Sequence, residues 1–173
     1  QLLINADAPS WVFESLEHLG VDTDECIPWT GGLAAAETLV LPYHRQTNKK
    51  LETSPDDCKW LRQQAIDALD SPPARGDRRL FVSRADADCR RVQNRRAVKS
   101  ILEGYGFETY TLTNYSFSEQ VRLFAEAEAV VGPHGAGLVN TVFGTDLSVF
   151  ELLPADDVRP MYFQLAHQLG HDY

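Results

Sequence analysis

From Leu80 onward, short apolar runs alternate with longer segments that carry helix-start and helix-stop signals, and this alternation limits the fold more than any other feature. The runs are Leu80-Phe81-Val82-Ser83, Glu108–Leu112, Ala129-Val130-Val131 and Ser148–Leu152. Between them, Asn94 is placed to cap a helix ending near Gly104 or Gly106. Ser116 and Glu119 have the spacing of a capping box for a helix to Ala127. A short helix then runs to Phe143, and a last one from Pro160 to Leu169 stops at Gly170. Such repetition, with strands this short and apolar, predicts an α/β fold: a Rossmann-like parallel sheet with helices on both faces.

The first part of the chain reads differently. Leu2–Asn5, Cys26–Trp29 and Thr38–Tyr43 are short strand patterns, and Ser10 is placed to cap a helix through Leu19 that Gly20 stops. A polar stretch from His44 to Thr53 follows. Ser54-Pro55-Asp56-Asp57 then supplies a cap, a proline at the first helical position and an acid, for a helix to about Leu69. The expected division is residues 1–45 as the tail of a preceding domain, 46–54 as a linker and 55–173 as the Rossmann-like domain. A chain that begins at Gln1 and enters a strand at once reads as a piece of a longer protein.

The formal net charge is −9, and only four of the sixteen basic residues are lysines. Such a surface argues against general nucleic-acid binding, which needs a basic face, and suits a protein kept soluble in high salt. No stretch approaches the roughly 20 apolar residues that span a bilayer. Cys26, Cys58 and Cys89 are scattered and form no Cys-x-x-Cys pair, so neither a disulfide framework nor a zinc site is supported. The expected setting is cytoplasmic, including the inner face of the membrane.

Ligands of an open parallel sheet bind beyond the carboxyl ends of its strands. That rule selects Ser83 and Arg84, then Gly132-Pro133-His134-Gly135-Ala136-Gly137, then Glu151. Gly135 and Gly137 let backbone approach a phosphate closely. A helix after them would aim free amides and its positive end at the anion, and His134 adds a further donor. The alternative is a tight turn whose glycines serve packing alone. Arg84, Arg90, Arg91, Arg95 and Arg96 fall within thirteen residues of this acidic chain, and arginine forks match phosphate oxygens. Arg95 and Arg96, at an exposed helix start, read as a solvated face balancing Asp86 and Asp88. Arg84, at a strand end, reads as a ligand group. Asp22-x-Asp24 and Asp86-x-Asp88 are matches of a spacing that chance supplies in a chain this rich in aspartate. Asn140 stands where a dinucleotide fingerprint wants its third glycine, which argues against NAD. No Gly-x-Ser-x-Gly elbow supplies a hydrolase nucleophile.

Phe81-Val82-Ser83-Arg84, Arg90, Asn94, Gly106-Phe107-Glu108, Ser118-Glu119-Gln120 and Val131-Gly132-Pro133-His134-Gly135-Ala136-Gly137-Leu138-Val139-Asn140 resemble glycosyltransferase family 61 in order and spacing. Phe143, Glu151-Leu152 and Pro154 extend the likeness, which covers about residues 78–173. Arg95 departs from it, standing where the family has an acid. The resemblance implies the C-terminal, donor-binding half of a two-domain (GT-B) inverting enzyme that uses a nucleotide sugar without a metal or other cofactor. It also implies a glycan or lipid-linked acceptor, a role in polysaccharide (capsular) or glycoconjugate synthesis, and an N-terminal domain outside this chain. By the same likeness Arg84, Arg90, His134 and the amides of Gly135, Ala136 and Gly137 hold the pyrophosphate. Asn94 and Asn140 order the loops, and Glu151 accepts ribose hydroxyls. The catalytic base stays unassigned, with His134 a minor candidate and the other domain the expected source. A non-catalytic nucleotide-binding or assembly module of a polysaccharide-synthesis system is the competing reading.

Overall fold

The computed structural model describes residues 2–33, 35–38, 40, 46–47, 50–51, 54–74, 76–156 and 158–173. Its centre is a four-stranded parallel sheet of β5 (Arg78–Val82), β6 (Phe107–Tyr110), β7 (Ala127–Pro133) and β8 (Ser148–Leu152), in the order β6-β5-β7-β8. Leu80 lies level with Val130, and Val130 with Val149. These three side chains, with Val82, enter one core shared with Ala65, Val121, Phe124, Leu138, Phe143 and Leu165. Phe81 and Val131, one residue out of step, face the other way.

Right-handed crossovers explain this distribution. The step from β5 to β6 goes one way across the sheet, so its helix α3 (Arg95–Gly104) lies on one face, against β6. The steps β6 to β7 and β7 to β8 go the opposite way. Helix α4 (Phe117–Ala125) and the 3-10 helix Ala136–Phe143 therefore cover the other face, joined there by α2 (Pro55–Asp67) and α5 (Met161–Leu169). The segment after His134 is a 3-10 helix rather than an α-helix. Gly137 lets this segment pack closely on the sheet, because a Cβ there would stand 2.9 Å from Leu112 and 3.0 Å from Val82.

The local signals act as their chemistry requires. The Ser54 hydroxyl accepts from the Asp57 amide at the start of α2. Ser116 and Glu119 form both bonds of the capping box on α4. Gly170 ends α5 with φ 74°, the left-handed region glycine tolerates best. Two caps differ from expectation. Pro9 takes the N-cap position of α1 (Ser10–His18), so Ser10 is its first helical residue. Asn94 sits at the N-cap of α3 without a side-chain cap bond, because its ψ of 36° departs from the extended backbone that capping uses.

Upstream, β1 (Leu3–Asn5) and β2 (Ile27–Trp29) form a separate parallel pair around α1. The Ile27 amide donates to the Leu2 carbonyl, and the Ala6 amide donates to the Trp29 carbonyl. Helix α1 leans on the main unit through His18, whose Nε2–H donates to the Ala65 carbonyl at 2.6 Å while Ser118 Oγ donates to its Nδ1 at 3.0 Å. The expected strand Thr38–Tyr43 falls largely outside the described residues, and Thr38 and Val40 are not in a strand. Within the expected linker, β3 (Gln46–Thr47) and β4 (Lys50–Leu51) pair antiparallel. Among the described residues no helix is long and apolar enough to cross a membrane.

Candidate functional site

The chain leaves β5 toward β6 and then returns to build β7 on the opposite side of β5. The loops after β5 and β7 therefore part company at this point and leave a crevice beyond the strand ends. Ser83 and Arg84 follow β5, and His134 to Gly137 follow β7. Arg84 and Gly135, fifty-one positions apart, meet there. A Cβ added to Gly135 would stand 1.9 Å from Arg84 Nη1 and 2.8 Å from its Cζ. Gly135 has φ 170°, ordinary extended backbone, so what its missing Cβ supplies is room for Arg84: the guanidinium lies on bare backbone.

The loop between β5 and α3 folds on its own arginines. Arg84 Nε donates to the Cys89 carbonyl at 3.4 Å, and Arg91 Nε donates to the Ala87 carbonyl. Arg90 has φ 54°, a left-handed backbone that a side chain makes costly. Its guanidinium and that of Arg84 both reach the exposed Cys89 thiol, and Arg90 first, then Arg84, lower the pKa of that thiol. Both also act on the Tyr162 hydroxyl. Burial raises the pKa of that hydroxyl, Glu151 raises it further, and the two arginines oppose the shift.

Behind Gly135 lies a buried polar chain. The Glu151 side chain is fully buried, level with Gly132 in the sheet. A carboxylate only accepts, so the His134 Nδ1–H donates to Glu151 Oε1, and Tyr173 donates to Oε2 at 2.6 Å. Burial and then Glu151 push the Tyr173 phenol well up, which keeps it a donor. Tyr162 donates to the Gly135 carbonyl at 2.7 Å and packs against the His134 ring at 5.2 Å. This fixes the ring of His134, leaving Nε2 as its other polar atom. Each oxygen of Glu151 thus accepts one hydrogen bond within the protein.

A crevice of about 580 Å³ opens on the α3 side, lined by Ser83, Arg84, Asn94 and Pro133 together with Arg91, Gln93, Arg95 and Arg96. Arg95 and Arg96 are exposed, as expected of a solvated face, and stand on its wall, with no ion pair to Asp86 or Asp88. Asp86 instead accepts from Thr113 at 2.9 Å. Asn140 lies away from this wall: buried, it donates to Gln120 Oε1 at 2.8 Å, and Gln120 donates to the carbonyls of Leu112 and Tyr115. It therefore ties the 3-10 helix to the loop after β6. Sequence reasoning passed over Tyr162 and Tyr173, since neither belongs to a motif and only the fold of α5 back onto β8 brings them in. Among the described residues no group of three or more His, Cys, Asp or Glu is placed to hold a metal ion.

Three relatives share part of this chain. A β-1,2-xylosyltransferase of Arabidopsis thaliana is 33% identical over 63 residues, 36% of this chain and 12% of its own. An EGF domain-specific O-linked N-acetylglucosamine transferase of Gallus gallus is 30% identical over 107 residues, 58% of this chain and 20% of its own. A β-1,2-xylosyltransferase of Oryza sativa subsp. japonica is 30% identical over 125 residues, 62% of this chain and 24% of its own. The chain thus spans a quarter or less of the length of these relatives. Residues 10–150 match the family described as Glycosyltransferase 61, and the match takes in both loops that meet at Arg84 and Gly135. The chain belongs to glycosyltransferase family 61.

Proposed function

We propose that this chain is the donor-binding part of a glycosyltransferase that transfers a sugar from a nucleoside diphosphate with inversion and without a metal. The observation that carries the reading is the Arg84 guanidinium resting on Gly135 at the divergence of β5 and β7. In such a transfer the acceptor hydroxyl oxygen forms a bond to the anomeric carbon as the bond from that carbon to the phosphate oxygen breaks. The bonding pair leaves with the nucleoside diphosphate, and the hydroxyl proton passes to a base. Negative charge grows on the leaving phosphate, so fixed donors aimed there favour the transition state over the bound donor.

Arg84 and Arg90 and the amides of Gly135, Ala136 and Gly137 would supply those donors. His134, whose Nδ1–H is given to Glu151, would join them through Nε2 only with both ring nitrogens protonated. The first 3-10 bond runs from the Leu138 amide to the Gly135 carbonyl, so the amides before Leu138 precede the helix ladder. Each charge-assisted hydrogen bond contributes ~1.5–3 kcal/mol. We place the general base on a second α/β domain of the full-length protein. The parallel pair β1–β2 around α1 supports such a domain, because a two-strand parallel sheet does not bury both faces on its own. The glycosyltransferase names of the relatives and the family match support the reaction class.

The test is Arg84→Ala in the full-length protein, measuring donor affinity and turnover with uridine and guanosine diphosphate sugars. The expected loss in turnover is on the order of 10²-fold, with weaker donor binding. Unchanged affinity and turnover would remove Arg84 from the site and with it the basis of this reading.

A further inference from the structure

Charge in this protein is distributed against its total. The chain has 25 acidic and 16 basic residues, yet the crevice beside Arg84 is walled by Arg84, Arg91, Arg95 and Arg96 with no aspartate or glutamate among its lining residues. Several cations elsewhere pair with carboxylates: Arg78 with Glu126 at 3.0 Å, Arg79 with Glu128 at 2.5 Å, Arg122 with Glu126 at 3.7 Å and Lys99 with Glu103 at 3.5 Å. Among the described residues no ion pair reaches Arg84, Arg90, Arg91, Arg95 or Arg96. Asp86 and Asp88 share this loop but make no ion pair with these five arginines, so in a chain with surplus acid the loop and helix start keep a local net positive charge.

The helix start sharpens the contrast. Helix α2 opens with Asp56 and Asp57, and α4 with Glu119, as the positive end of a helix favours. Helices α1, α3 and α5 have no acid in the first turn, and α3 alone of these opens with two cations, Arg95 and Arg96. Cations at that end repel it, a cost that an anion in the crevice would offset. A nucleoside diphosphate sugar brings one negative charge on each phosphate, and Arg84 with Arg90 matches that. Arg91, Arg95 and Arg96 remain over.

We infer that Arg91, Arg95 and Arg96, with Gln93 and Asn94, form a second anion subsite for a carboxylate or phosphate that the substrate carries beyond the donor diphosphate. This rests on the donor-binding reading and adds a substrate class to it: the transferred sugar or the acceptor is acidic. Arginine suits either group, since its planar fork pairs with both oxygens of a carboxylate or of a phosphate.

Calorimetry on the full-length protein at low salt tests it, with UDP, UDP-glucose and UDP-glucuronate, and with the guanosine diphosphate forms of the same sugars. In a separate arm, glucose 1-phosphate is titrated onto protein already saturated with UDP or GDP. Wild type should either prefer the uronate donor over the neutral one by about tenfold or more, or bind glucose 1-phosphate beside the nucleotide. The first outcome places the anion on the donor and the second on the acceptor. Arg95→Gln/Arg96→Gln, with thermal unfolding as the check on its fold, should abolish whichever effect wild type shows. No uronate preference and no glucose 1-phosphate binding would overturn the subsite, as would a double variant that weakens UDP or GDP as much as the acidic ligand. If instead Arg84→Ala leaves nucleotide binding untouched, the donor-binding reading fails first, so the two failures are told apart.

Discussion

Gly135 makes a residue-scale demand with a clear outcome. In Gly135→Ala the new methyl would occupy the place of Arg84 Nη1, and a flexible side chain yields more readily than backbone. The fold should survive while Arg84 swings away. The expected result is a donor affinity lower by about tenfold or more, from the loss of a charge-assisted bond, with an unchanged Tm, read by calorimetry and thermal unfolding. Cys89 offers a second check. It is exposed beside Arg90 and Arg84, whereas burial raises the Cys58 thiol. Alkylation at neutral pH should modify Cys89 several-fold faster than Cys58, and a bound donor should protect it. Equal rates, or no protection by a ligand that calorimetry shows to bind, would separate this loop from the site. Tyr173→Phe removes the donor to Glu151 Oε2 in a buried carboxylate. It should cost about 1 kcal/mol in denaturant unfolding, the scale of an orphaned polar group.

Among the elements, the capping box of α4 is the most separable contribution. Ser116→Ala should cost about 1 kcal/mol, measured by denaturant unfolding. Gly76→Ala should cost more than about 1 kcal/mol, because its Cβ would meet the backbone oxygens of Ala127 at 2.6 Å and Glu126 at 2.8 Å, and a strand start cannot give way as a side chain can. Features of this kind were legible in the sequence because they are local. Ser54, Ser116 and Gly170 bond or turn within a few residues of themselves, and the run Ser148–Leu152 is the strand it reads as. The pairing of Arg84 with Gly135 was partly legible, since the strand-end rule brings those loops to one rim. The engagement of Glu151 by Tyr173 was not, because it depends on how α5 returns to the sheet. Nor was the position of Arg95 and Arg96 on a crevice wall: a helix start looks exposed in sequence whether or not a cavity opens beside it.

At the scale of the whole molecule, His171 links parts that close the sheet. The Leu147 amide donates to its Nδ1 at 3.3 Å, so its Nε2–H donates to the Thr141 carbonyl at 3.0 Å. Burial pushes this imidazole below its ordinary value. A group depressed in the fold contributes stability that is whole above the unfolded value of about 6.5 and drains away as pH falls below it. Tm should therefore fall as pH drops below about 6.5, and less steeply in His171→Gln, which can keep both bonds without titrating. Parallel slopes in the two proteins would show that other groups set the acid limit. The upstream unit carries a constraint of its own. Ile27 and Trp29 turn their backbone groups toward β1, so at the residue between them, Pro28, the position facing outward has no N–H to give. Growth of that ribbon is one-sided: a third strand can be accommodated alongside Leu3–Asn5, while the flank at Pro28 closes the sheet.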